Sequence, residues 1–213
     1  MGPSVSGVGT IDKGMLVLTA VEAGPASLAD LVAATGLSRA TAHRLAVALE
    51  AHGLLRRTAD GRFALGLRLV GLGRAAADAL PLADAAAPAL AALRATTEES
   101  VQLYVREGDR RVCVASLESP HGLRTIVPMG AALPLDRGSA GRALSAADPG
   151  WVASVEERER GVASVSAPVR DAEGRVIAAV SVYGPIERTT REPGRRYGEA
   201  VEAAARRIEV ALA

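Results

Sequence analysis

Residues 36–55 read GLSRATAHRLAVALEAHGLL, and several of these side chains could do chemistry on a polyanion. Arg39 and Arg44 supply two guanidinium forks, Thr41 a hydroxyl, and Ala40 a methyl-sized gap between them. Guanidinium forks match base edges and phosphates, and a small residue near a helix N-terminus lets the backbone approach a groove. At helical spacing Ala42, Leu45, Ala46 and Leu49 form one stripe that should face a core. Ala40, Arg44 and Val47 fall opposite, with Thr41 and His43 on the flanks. Ser38 stands where an N-cap belongs. A charged, solvated face is ordinary for an isolated helix, so the surroundings decide the reading.

Those surroundings form an ordered set. After MGPSVSG, a small-residue arm at 1–7, TIDKGMLVLTAVEAG places Ile11, Met15 and Leu18 at helical spacing, with Gly24-Pro25 as its stop. Ser27 precedes LADLVAA with Asp30 three residues on, a capping pattern. Thr35-Gly36 is a tight turn, and the Ser38 helix runs to about His52, where Gly53 suits a helix C-terminus. LLRRTADGRFALG then gives two short β runs around Asp60-Gly61, a two-residue hairpin signal. Its arginines, Arg56, Arg57 and Arg62, stand like a wing over adjacent phosphates. Residues 8–66 thus read as a winged helix-turn-helix domain, with Ser38, Arg39, Ala40, Thr41, His43, Arg44 and the three wing arginines as its DNA-facing set.

The remainder has another texture. LRLVGLGRAAADAL is a helical connector over 67–80, broken at Pro81, and PLADAAAPALAALRATT opens a second domain, 81–213, with a further break expected at Pro88. SVQLYVREGDRRVCVASLES alternates around Gly108-Asp109 as a hairpin; LRTIVPMG is a strand candidate; GSAGRALSA is a short helix. GVASVSAPVRDAEGRVIAAVSVYGP gives two strands joined by DAEG, and EPGRRYGEAVEAAARRIEVALA a closing amphipathic helix. Strands flanked by helices make this an α+β chain overall. Ser139 and Ala140 fall at a helix N-terminus, where free N–H groups favour a carboxylate.

Composition narrows the function further. The 213 residues suit one domain or two small ones. Aromatic content of 2% leaves few platforms on which bases could stack. Residues 1–75 carry eight Lys/Arg against five Asp/Glu, a basic front, while 76–213 are mildly acidic. A single cysteine, Cys113, excludes an internal disulfide and a multi-cysteine metal site. No apolar run is long enough to cross a bilayer and no signal-like segment opens the chain, so the expectation is a soluble, cytoplasmic protein with no membrane partner. Enzymatic readings find little footing. Cys113 alternates like a buried strand residue, and two of the three histidines, His43 and His52, lie in the reader domain, leaving His121. Glu156, Glu157 and Glu159, interleaved with Arg158 and Arg160, read as a solvated loop. There is neither a glycine-rich phosphate loop nor metal-ligand spacing, and no cofactor is implied.

The run SLADLVAATGLSRATAHRLAVALEAHGLLRRTADGRFALG resembles the DNA-binding domain of the IclR family of bacterial transcription regulators. The matching positions are Thr35-Gly36-Leu37, Thr41, Arg44-Leu45, Leu49, Gly53, Gly61-Arg62-Phe63 and Leu65-Gly66. Ala40 departs from the small hydroxyl common in relatives. VPMGAALPLDRGSAGRALSA and GVASVSAPVRDAEGRVIAAVSVYGPIERTT resemble the family's GAF-like effector-binding domain, and SVEERERGVASVSAPV resembles a subgroup that controls leucine-type amino-acid genes. The resemblance implies effector contacts at Thr125, Leu133, Ser139, Ala140, Ser154, Val162, Ser164, Ser181 and Tyr183, suited to a small polar acid such as an amino or keto acid. It also implies a homodimer or dimer of dimers on a palindromic double-stranded operator. The segment between Ala147 and Trp151 is shorter than in relatives, which implies a more open pocket or weakened sensing. The competing expectation is a ligand-binding or dimerisation module whose helix-turn-helix does not read DNA.

Overall fold

The computed structural model describes residues 8–78, 81–145 and 150–213. The chain divides into two units, Met1–Ala79 and Leu80–Ala213.

The first unit runs α1 (Gly9–Ala20), α2 (Leu28–Thr35), α3 (Arg39–Ala51), β1 (Leu55–Arg57), β2 (Phe63–Leu65) and α4 (Arg68–Asp78). The caps form as their chemistry dictates. The Ser27 hydroxyl accepts the Asp30 N–H while the Asp30 carboxylate accepts the Ser27 N–H, a closed capping box on α2. Gly36 ends α2 at φ 66°, a conformation a side chain would strain. Val17, Val21, Leu31, Ala46, Leu55 and Phe63 make the core. The helical face of α1 differs from expectation: Ile11 and Met15 are exposed, and Gly14 and Val17 are the buried positions. The hairpin loop is also longer than the two residues expected. Thr58 donates its N–H to Arg62, and Gly61, at φ 77°, returns its N–H to Thr58. That is a three-residue loop closed by a left-handed glycine.

The second unit is a six-stranded antiparallel sheet in the order β5-β4-β3-β8-β7-β6. Its elements are α5 (Pro81–Thr97), β3 (Ser100–Glu107), β4 (Arg110–Leu117), β5 (Ala132–Pro134), α6 (Gly138–Ser145), β6 (Val152–Val155), β7 (Val162–Arg170), β8 (Val176–Pro185), α7 (Ile186–Thr189) and α8 (Pro193–Leu212). Strand alternation sends Val101, Leu103, Val165, Val180 and Val182 to one face, where Leu90 of α5 and Val201 and Ile208 of α8 cover them. Tyr104, Cys113, Ala179 and Tyr183 point to the other face, beneath Ala140, Ala143 and Leu144 of α6. Both faces are therefore covered, and the central strands are buried along most of their length.

Two expectations need correction here. Pro88 does not break α5, because it lies on the exposed side, where water can serve the carbonyl its ring displaces. LRTIVPMG is not a strand; its backbone is spent elsewhere, with the Thr125 carbonyl accepting the Ser100 hydroxyl and the Gly130 N–H donating to Cys113. The acidic run does lie on a turn, and the VASV that precedes it, to which the sequence reading assigned no element, is edge strand β6. The short segment between Ala147 and Trp151 falls mostly on residues 146–149, which lie outside the described residues. Trp151 then locks the chain back onto α8: its ring lies where a Cβ on Gly194 or Gly198 would stand, and its backbone N–H donates to the Glu202 carboxylate at 3.1 Å.

Candidate nucleic-acid interface and ligand pocket

The reading helix α3 is mounted through Ala42 and Ala46, fully buried, with Leu45 and Leu49 half-buried beside them. Its N-terminus is held by Ser38, whose hydroxyl accepts the Thr41 N–H at 3.3 Å and donates to the Thr41 hydroxyl at 2.9 Å. That donation leaves the Thr41 proton free to point outward. Arg39, Ala40, His43 and Arg44 are exposed, and neither arginine has a protein partner among the described residues.

The wing arginines separate into two kinds. Arg56 is exposed and without a partner among the described residues. Arg57 is committed inward: its guanidinium stacks 3.7 Å from the Phe63 centroid, donates to the Gly61 carbonyl at 2.8 Å and pairs with Glu50 of α3 at 3.4 Å. Arg62 donates to the Pro25 carbonyl at 3.3 Å and lies between Asp30 and Asp60 at 3.9 and 3.8 Å. Both carboxyls sit below the usual carboxylate range, Asp30 through the Ser27 backbone N–H and Asp60 through the Thr58 hydroxyl.

In the second unit, a cavity of about 30 Å³ lies beneath the N-terminus of α6. The structure brings Ser139, Ala140, Ser154, Val162, Ser164, Ser181 and Tyr183 together around it. Thr125 and Leu133 do not line it; Thr125 is tied to Ser100, and Leu133 packs against the Tyr104–Cys113 cluster. The hydroxyls form a buried chain: Ser139 lies 2.7 Å from both Ser164 and Ser166, and Ser166 donates to Ser181 at 2.8 Å. Tyr104, Arg111, Gly138, Glu157, Arg158 and Glu159 complete the wall. The sequence reading missed them because their strand registers and loop path are set by distant pairing.

The cavity combines buried neutral donors and the buried Arg111 with Arg158, Glu157 and Glu159 at its more exposed side. Burial raises the Tyr104 and Tyr183 phenols well above their ordinary range, and burial lowers Arg111. The Cys113 thiol is pushed up to about 11 by burial, which favours the protonated form, and it donates to the Ala115 carbonyl. Gln102 is 1% exposed, paired in register with Ser181, and both ends of its carboxamide lack a hydrogen-bond partner among the described residues. Among the described residues no cluster of three or more His, Cys, Asp or Glu could hold a metal ion. Nor is any single described helix long and apolar enough to cross a membrane.

Comparison with known proteins decides the family. The IclR helix-turn-helix domain matches residues 10–59, and the bacterial transcriptional regulator IclR C-terminal domain matches 74–150 and 148–210. The chain belongs to the IclR family. It is therefore a DNA-binding transcriptional regulator with an N-terminal helix-turn-helix domain and a C-terminal α/β domain. It is 27% identical to the HTH-type transcriptional regulator KipR of Bacillus subtilis, over 86% of this chain and 88% of that protein. It is 25% identical to the HTH-type transcriptional repressor AllR of Escherichia coli, over 97% and 91%. A transcriptional regulator structure from Rhodococcus sp. RHA1 superimposes with a TM-score of 0.75 at 25% identity, over 96% and 98%. The AllR alignment spans 246 residues, more than the 213 present, so that IclR relative carries residues with no counterpart here.

Within an IclR-type reader the two kinds of wing arginine predict different salt behaviour. Arg56→Gln is expected to reduce the slope of log affinity against log salt by about one, as for a lost phosphate contact. Arg57→Gln should weaken binding with that slope unchanged, because its charge is already spent on the hairpin. Fluorescence anisotropy titrations between low and physiological salt measure both slopes, and equal reductions would count against the division.

Proposed function

We propose that the chain is a homodimeric repressor, cytoplasmic and without catalytic activity, that sets one α3 helix into the major groove of each half of a palindromic operator. Its release is governed by a small polar acid bound beneath α6. The observation that carries the reading is the pair Arg39 and Arg44: exposed, unpaired among the described residues, and flanking Ala40 on the solvent face of a capped helix. Within the family assignment, that face is the one a major groove would accept. Repression is supported by the likeness to AllR, a transcriptional repressor. Two apolar faces support a second copy: Ile11, Met15 and Leu16 on α1, and Leu67, Val70 and Leu72 at and along α4, all exposed.

For the ligand, the small cavity, the α6 N-terminus and the serine chain favour a compact amino or keto acid over a large aromatic one. The target class, leucine-type amino-acid metabolism, rests on the resemblance of residues 154–169. Coupling would run through residues 67–80, with the acid favouring one spacing of the two readers. Genome-wide mapping of bound DNA, followed by release assays with amino and 2-oxo acids on the recovered sites, tests the whole. Recovery of no palindromic sites would sink the reader assignment. A flat response across the acids would sink the effector.

A further inference from the structure

One of the chain's own carboxylates, exposed to solvent, stands at the wall of the pocket. Glu157 lies on the turn between β6 and β7, and its Oε2 accepts the N–H of Gly138, first residue of α6, at 3.0 Å. Its Oε1 accepts from Arg142, one turn further along the same helix, which also donates to the Ala153 carbonyl on β6. The rest of the turn is pinned just as locally. Glu156 accepts from the Gly161 N–H and from Arg191, and Arg158 lies 5.5 Å over the Tyr183 ring.

The same cavity is lined by donor groups that are not fully spent, although the Arg111 Nη1 already donates to the Pro134 and Arg137 carbonyls. Tyr183 and Arg111 are 4% and 3% exposed and line the same wall, and the Tyr183 hydroxyl and the Arg111 Nε have no hydrogen-bond partner among the described residues. Such groups cost free energy until an acceptor reaches them. A helix N-terminus draws an anion, and here the chain supplies that anion itself. The Gly138 N–H is already taken by Glu157, so an incoming carboxylate at this helix end must compete with it.

We propose that Glu157 is an internal ligand of the pocket, holding the α6 amide until the carboxylate of a small acid displaces it and frees residues 156–161. The proposal rests on the reading of this cavity as the effector site. Effector affinity is then set by the difference between two carboxylates competing for one helix end, and the turn that Glu157 leaves is the part that moves.

Isothermal titration of the full chain with acetate, glycolate, 2-oxobutyrate and 2-aminobutyrate tests this, with a thermal melt to confirm that each variant is folded. Glu157→Gln weakens the internal ligand, and at least one acid should bind about five- to ten-fold tighter than to wild type. Glu157→Asp keeps the charge but shortens the reach, and should also gain. A gain in Glu157→Gln with none in Glu157→Asp would mark a charge effect at a distance and overturn displacement. Binding to wild type with no gain in either variant would overturn it too, while leaving the pocket reading intact. No binding of any acid to any variant would overturn both.

Discussion

Alanine at both Arg39 and Arg44 is expected to cost the chain its operator, with affinity at fixed salt falling about a hundred-fold or more. Each fork that reaches a base edge or phosphate contributes roughly 1–3 kcal/mol, and every 1.4 kcal/mol is a factor of ten. The two side chains stand five residues apart on the exposed face of α3 and make no protein contact that ties one to the other, so their losses should add. Stability is not at stake: both are exposed, and alanine is the better helix former. The thermal melt should therefore stay in place while binding collapses. The comparison that matters is between an operator recovered by mapping and a scrambled duplex of equal length. A uniform loss on both would make the arginines phosphate anchors; a larger loss on the operator would make them readers of sequence. Full affinity in the double variant would leave the helix-turn-helix as a dimerisation unit only.

The reader was legible in the sequence because each of its devices is local. Ser27 with Asp30, Gly36 and Ser38 set helix ends through contacts within four residues, and the stripe of Ala42, Leu45, Ala46 and Leu49 follows from the helical period alone. What the sequence could not say about this unit was which arginines are free. Arg57 looks identical to Arg56 in LLRRTADG, and only the fold places Phe63 and Glu50 against it. The same limit explains α1, where Ile11 and Met15 fit a helical period but Val17 and Val21 fit the core.

The pocket was half legible. Alternation in VASVSAPV and AVSVYG puts Ser164, Ser166, Ser181 and Tyr183 on one face of adjacent strands, and the registers Ser164↔Tyr183 and Ser166↔Ser181 align them. Glu157 was hidden because an acidic, arginine-laced run has the composition of a solvated loop, and its partner lies 19 residues away on another element. Gln102 and Arg111 were hidden for the opposite reason: polar residues in strands are usually placed outward, and here both faces of the sheet are covered. Long-range pairing, rather than residue type, decided each of these.

The largest stability effect should come from a pair that plays no part in either site. Glu99, just before β3, is 2% exposed, and both of its carboxylate oxygens accept from Arg188 of α7, at 2.6 and 2.9 Å. Gly184 leaves the room that carboxylate needs, since a Cβ there would run into it. Arg188→Ala strands a buried carboxylate and is expected to destabilise the second unit by about 3–5 kcal/mol. Glu99→Ala should cost less, because the Arg188 side chain, 26% exposed, can turn its charge toward water. Replacing both by methionine removes the stranded charge altogether and should recover most of the loss in Arg188→Ala. Urea unfolding followed by Trp151 fluorescence isolates this unit, because Trp151 is the only tryptophan and packs against α8 within it. The order of the midpoints carries the argument. Equal losses in the two single variants, or a double variant as weak as Arg188→Ala, would mean that the ion pair is not what fixes α7 to the start of β3.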